Sequence, residues 1–67
     1  MSKEEADAHK KTGNDLFVEK KYDEAIEAYS KAITCDPTNA VLYSNRSACW
    51  SAKNEWQKAY DDATGNL

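Results

Sequence analysis

Lys10, Asn14 and Asn45 are the residues whose chemistry converges on one kind of ligand. A lysine ammonium is a compact positive charge and a carboxamide donates two N–H bonds, so together they suit an anion rich in acceptor oxygens, a carboxylate above all. Lys10 and Asn14 are four residues apart and share a face if that segment is helical. As residue types alone, the three serve equally as a solvated lysine and two capping or surface amides. Arg46, beside Asn45, has the reach to support a neighbouring helix or to form a surface ion pair.

Catalytic chemistry fits poorly. His9 has no nucleophile at a meaningful spacing, and the neighbours Asp61 and Asp62 point to different faces of a helix, which spoils a paired acid and base. No glycine-rich phosphate loop is present. Asp23 and Glu24 are better explained as acids placed at the positive end of a helix. The chain therefore reads as a non-enzyme that needs no cofactor. Cys35 and Cys49 lack the CxxC spacing or histidine companions of a metal site, and are expected to be reduced, small apolar residues on helices. The sequon Asn45-Arg46-Ser47 is read as coincidental.

Size and charge narrow the options further. A chain of 67 residues forms one domain at most, and one this small buries only ~60% of the surface that its unfolded form exposes. Its net charge of -3 argues against nucleic acid, whose binding is driven by clustered Lys and Arg. No apolar run approaches the ~20 residues that cross a bilayer. The opening MSKEEADAHKK is charged where a signal peptide would be apolar, so a cytoplasmic location is expected, with no membrane partner.

Four helical segments must position these side chains. Ser2-x-x-Glu5 has capping-box spacing, and a helix then runs to about Val18 with Ala6, His9, Gly13, Leu16 and Phe17 inward. After a polar turn at Glu19-Lys20-Lys21, Tyr22, Ala25, Ile26, Tyr29, Ala32 and Ile33 form the cleanest amphipathic stripe. Pro37 ends that helix, and Thr38 or Asn39 caps the next, from about Ala40 to Ala52, with Leu42, Tyr43, Ser47, Cys49 and Trp50 available for packing. Beyond the turn Lys53-Asn54-Glu55, a short last helix starts near Trp56, carries Ala59, Tyr60 and Ala63 inward and stops at Gly65.

The chain also matches itself at a spacing of about 34 residues, with Gly13 over Ser47, Leu16 over Trp50, Tyr22 over Trp56 and Ala25 over Ala59. Gly13, Leu16, Tyr22, Ala25, Tyr29, Ala32 and Pro37, then Tyr43, Ser47, Trp50, Trp56 and Ala59, resemble the tetratricopeptide repeat (TPR) pattern. His9, Thr12 and Arg46 depart from its usual Trp and Leu positions. The resemblance implies an all-α fold of helix-turn-helix hairpins with three to four antiparallel helices. It implies a single partial domain over 1–67, with repeat 1 at about 4–37 and an incomplete repeat 2 at about 38–67.

Within that family, KKTGNDLF and VLYSNRSACW resemble the carboxylate-clamp TPR domains of Hop/Sti-type cochaperones, with similar domains in a chaperone-linked ubiquitin ligase and a protein phosphatase. By this resemblance Lys10, Asn14 and Asn45 hold the terminal carboxylate of a tail ending in Glu-Glu-Val-Asp. The partners it implies are the C-terminal tails of the seventy- and ninety-kilodalton heat-shock chaperones. Phe17 would be an apolar wall for the peptide, or alternatively part of the hairpin core. The family completes its clamp with a Lys and an Arg from a third repeat, and the chain ends at Leu67 before such a helix, so it is expected to be a fragment or a truncated product. The unfinished end suggests a second, different function. Trp50, Trp56, Tyr60 and Leu67 would form an exposed patch through which copies associate as a homodimer, or exchange the last helix by fusing it with the one before.

Overall fold

The computed structural model describes residues 3–64, and the described part consists of four α-helices joined by short turns. These are α1 (Lys3–Val18), α2 (Tyr22–Cys35), α3 (Ala40–Ala52) and α4 (Trp56–Ala63). Among the described residues there is no strand. Ser2, Gly65 and Leu67, the expected cap, stop and end of the patch, lie outside the described residues.

Each helix packs on its neighbour in chain order, α1 on α2, α2 on α3 and α3 on α4. The result is a slab of two stacked hairpins, 31 × 29 × 13 Å in its principal extents. The apolar stripe of α2 is the centre of this slab, because α2 lies between α1 and α3 and carries most of the buried apolar residues. Ala25, Ile26, Ala28, Tyr29, Ala32 and Ile33 are all buried. Ala25, Ile26 and Tyr29 join Cys49 of α3 in one cluster, lined by Leu16 and Phe17 of α1 and Trp50 of α3. Ala32 and Ile33 join Leu42 in a second cluster beside Tyr43. Both cysteines are free, and Cys49 is a buried core residue.

The repeat is visible in the backbone as well as in the side chains. Lys20 and Asn54, 34 positions apart, both have φ of 64° and close their turns with the same pair of bonds. The Lys21 amide donates to the Leu16 carbonyl at 2.9 Å, and the Glu55 amide donates to the Trp50 carbonyl at 2.9 Å. These six-residue closures satisfy carbonyls that a helix end would otherwise leave unpaired. Asn54 supplies the left-handed residue that the sequence reading missed in Lys53-Asn54-Glu55. Consequently α3 and α4 are separate helices around a closed turn, not one continuous rod.

Between the hairpins, Asn39 caps α3 by accepting from the Val41 amide at 3.0 Å. The Tyr43 hydroxyl donates to the Pro37 carbonyl at 3.3 Å, tying the connection to the helix that follows it.

The orientation of α4 corrects the expected one. Ala59 is buried as expected, but Tyr60 and Ala63 point outward and Asp62 takes the inward place. A buried carboxylate requires partners, and α3 supplies them. Arg46 donates through Nε and Nη2 to the two oxygens of Asp62, each at 2.8 Å, and Trp50 Nε1 donates to Oδ2 at 2.9 Å. Arg46 Nη1 also reaches Ser30 Oγ on α2 at 3.1 Å.

Candidate functional site

The three candidate ligand residues sit on α1 and α3, the first helix of each hairpin. Lys10 and Asn14 are one turn apart on α1, Lys10 half-buried and Asn14 exposed. Asn45 is half-buried on α3. Among the described residues Lys10 forms no ion pair, and Asn45 makes no side-chain hydrogen bond. Their charge and donors are therefore not consumed within the fold.

What connects the two helices beneath these residues is Tyr29. Its ring packs against Gly13, the neighbour of Asn14, so closely that a Cβ added there would lie 2.6 Å from Cε1. On its other side it shares a cluster with Cys49, which follows Asn45 by one turn of α3. Its hydroxyl donates to Asn14 Oδ1 at 2.5 Å. Burial, with a smaller contribution from Cys49, pushes the phenol from 10.0 up to about 12. Burial likewise pushes the Cys49 thiol up to about 11.

Phe17 has a core role. It is half-buried, meets Tyr22 edge-on with ring centroids 5.4 Å apart, and packs against the central cluster. Arg46 is committed to Asp62, and that hydrogen bond raises its already high pKa further. The pair is not the surface ion pair the sequence allowed, since its side chains are only 20% and 6% exposed.

Of the residues expected in an association patch, Trp56 and Tyr60 are exposed, at 63% and 66%. Trp50 is not part of it. Its indole N–H is bound to Asp62, and the Lys58 ammonium lies 4.8 Å from its ring centroid. Asp62 itself escaped the sequence reading. The available signal was Arg46 at a position where the repeat pattern has Leu, because an inward guanidinium calls for an acid on the helix that faces it.

Two stacked helical hairpins with matching turns 34 residues apart define the class, a helical repeat scaffold. The family model described as TPR repeat matches residues 13–47, and the chain belongs to the tetratricopeptide repeat family. Among similar proteins, heat shock protein STI1 of Saccharomyces cerevisiae is 49% identical over 59 residues, covering 87% of this chain and 10% of that protein. Stress-induced-phosphoprotein 1 of Caenorhabditis elegans is 42% identical over 92% of this chain and 19% of its own length. The Hsp70-Hsp90 organising protein of Plasmodium falciparum is 43% identical over 94% of this chain and 25% of its own length. The chain thus spans a quarter or less of each of these relatives. No solved structure matches it.

Proposed function

We propose that the chain is a non-catalytic, cytoplasmic cochaperone-type module that binds acidic C-terminal tails through a partial carboxylate clamp of Lys10, Asn14 and Asn45. The observation that carries this reading is the unspent ammonium of Lys10 one turn from Asn14, on a helix sharing a core with the helix of Asn45. The similarity to an Hsp70-Hsp90 organising protein supports chaperone tails of the seventy- and ninety-kilodalton classes as the ligands. In this reading the whole chain is one partial domain, with repeat 1 at about 4–37 and repeat 2 at about 38–67. Phe17 contributes an apolar edge to the groove from its place in the core.

Titration with a peptide ending in Glu-Glu-Val-Asp, as the free acid and as the C-terminal amide, tests the clamp. The free acid binds, and the amide binds more weakly. Lys10→Ala and Asn45→Ala each weaken the free acid by ~1.5–3 kcal/mol, the contribution of a hydrogen bond to a charged group. The 67 residues lack the two further cations of the family's clamp, so their affinity is ~100-fold or more below that of a complete clamp. Binding that ignores amidation removes the reading.

A second reading, self-association, is favoured by one observation. Trp56 and Tyr60, four residues apart, place two large exposed aromatic rings on one face of α4.

A further inference from the structure

This inference rests on the clamp reading and deepens it. We propose that Tyr29 is a positioning residue for ligand binding, fixing the Asn14 carboxamide so that its N–H donors face the incoming carboxylate. A carboxamide has an accepting oxygen at one end and a donating nitrogen at the other, and rotation by half a turn exchanges them. On exposed Asn14 that rotation would be nearly free. With Nδ2 outward the amide donates to a carboxylate, and with Oδ1 outward it repels one.

Tyr29 biases the choice. Its hydroxyl donates to Asn14 Oδ1 at 2.5 Å, so the oxygen is held toward α2 and the nitrogen turns away from it. The phenol is itself fixed, because Tyr29 is 2% exposed and its ring is seated against Gly13 and beside Cys49. Gly13 therefore has a functional consequence besides packing. A side chain there would push the ring away from α1 and withdraw the hydroxyl from its acceptor. Because burial raises the phenol to about 12, it remains a donor throughout the physiological range. An orientation set before the ligand arrives spares the cost of ordering the amide on binding.

The experiment is a nuclear magnetic resonance titration of the labelled 67-residue chain with the Glu-Glu-Val-Asp peptide as free acid and as amide. It compares the parent with Tyr29→Phe, Asn14→Ala and the double variant. Tyr29→Phe keeps the ring, weakens the free acid ~10-fold and narrows the preference for acid over amide. The double variant binds no more weakly than Asn14→Ala, because both changes remove one interaction. The two Asn14 side-chain amide protons, resolved and slow to exchange with each other in the unliganded parent, move toward the free-asparagine pattern in Tyr29→Phe. Parent-like binding by Tyr29→Phe, or losses that add in the double variant, overturns the proposal while leaving the clamp intact. A parent that does not distinguish acid from amide overturns the clamp, and this inference with it. Should Tyr29→Phe fail to fold, the parent decides. A protected Tyr29 hydroxyl proton with a scalar coupling across the hydrogen bond to the Asn14 side-chain carbonyl carbon supports the proposal, and its absence overturns it.

Discussion

At Asp62, one carboxylate accepts three hydrogen bonds from Arg46 and Trp50 and thereby fixes α4 on α3. Removing one member of a buried pair leaves the other desolvated and unpaired, which is where its energetic consequence lies. Asp62→Ala is expected to lower stability by about 2–4 kcal/mol, somewhat less than a fully buried pair because Arg46 retains partial access to water. Asp62→Asn, which still accepts from Trp50, is expected to lose less. Urea midpoints measure both, and an Asp62→Ala midpoint equal to the parent's would show that the pair does not hold α4. Gly13 is sensitive for a different reason. Gly13→Leu must displace the Tyr29 ring, a cost of ~1–3 kcal/mol or more in a core with little reserve, and a parent-like melting temperature would contradict the packing described. Alkaline pH acts on the same core. The folded-state values of Tyr29 and Cys49, about 12 and about 11, exceed their ordinary values of 10.0 and 9.0 because burial disfavours the anions. The fold thus favours the protonated forms, so their contribution is complete below about pH 9 and is lost as pH rises toward about 12. Urea midpoints across that window should fall, and a flat profile counts against burial of both groups.

Among the elements, the turns hold an unequal pair. Lys20 and Asn54 adopt the same left-handed conformation, but asparagine tolerates it and lysine has no such excuse. Lys20→Gly is expected to relieve about 1 kcal/mol and raise the melting temperature by roughly 4–8 °C. Asn54→Gly should change less. Equal effects at the two sites would mean that the turns do not carry the strain their backbone angles indicate. The helix boundaries were largely legible in the sequence. Pro37 and Asn39 bracket the connection between hairpins through local bonding, and Ala40–Ala52 is the helix that the pattern predicts. The left-handed residue was not legible, because neither Lys20 nor the Lys53-Asn54-Glu55 turn carries the glycine that usually announces it.

For the molecule as a whole, the slab has unequal ends. The α2 face containing Ile26 is covered, whereas the residue 34 positions later, Tyr60, is exposed beside Trp56. In a stack whose members stabilise one another only through neighbours, such a face is the natural place for a further contact. Self-association through it predicts that the mass in sedimentation rises with concentration and that Trp56→Lys suppresses the rise. A concentration-independent monomer, with Trp56→Lys changing neither mass nor stability, would exclude it. In the helix-exchanged form, fusion of α3 and α4 would open the turn at Asn54 and exchange the Glu55 to Trp50 bond for helical ones.

The sequence by itself determined the four helices, the stripe of α2, a cap at Thr38 or Asn39 and the family resemblance carried by the 34-residue spacing. These rest on local rules, since helix periodicity, proline and capping depend on residues within one or two turns of each other. The tertiary structure decided which face of α4 is inward, which partner Arg46 takes and how Asn14 is held. Arg46 finds Asp62 at a separation of 16 residues, and Tyr29 finds Asn14 at 15. At those separations the pairing depends on how one helix is rotated against another. A buried Asp62 beside an exposed Tyr60 inverts the apolar pattern of α4 because three hydrogen bonds satisfy the carboxylate, and only the packed helices bring those donors together.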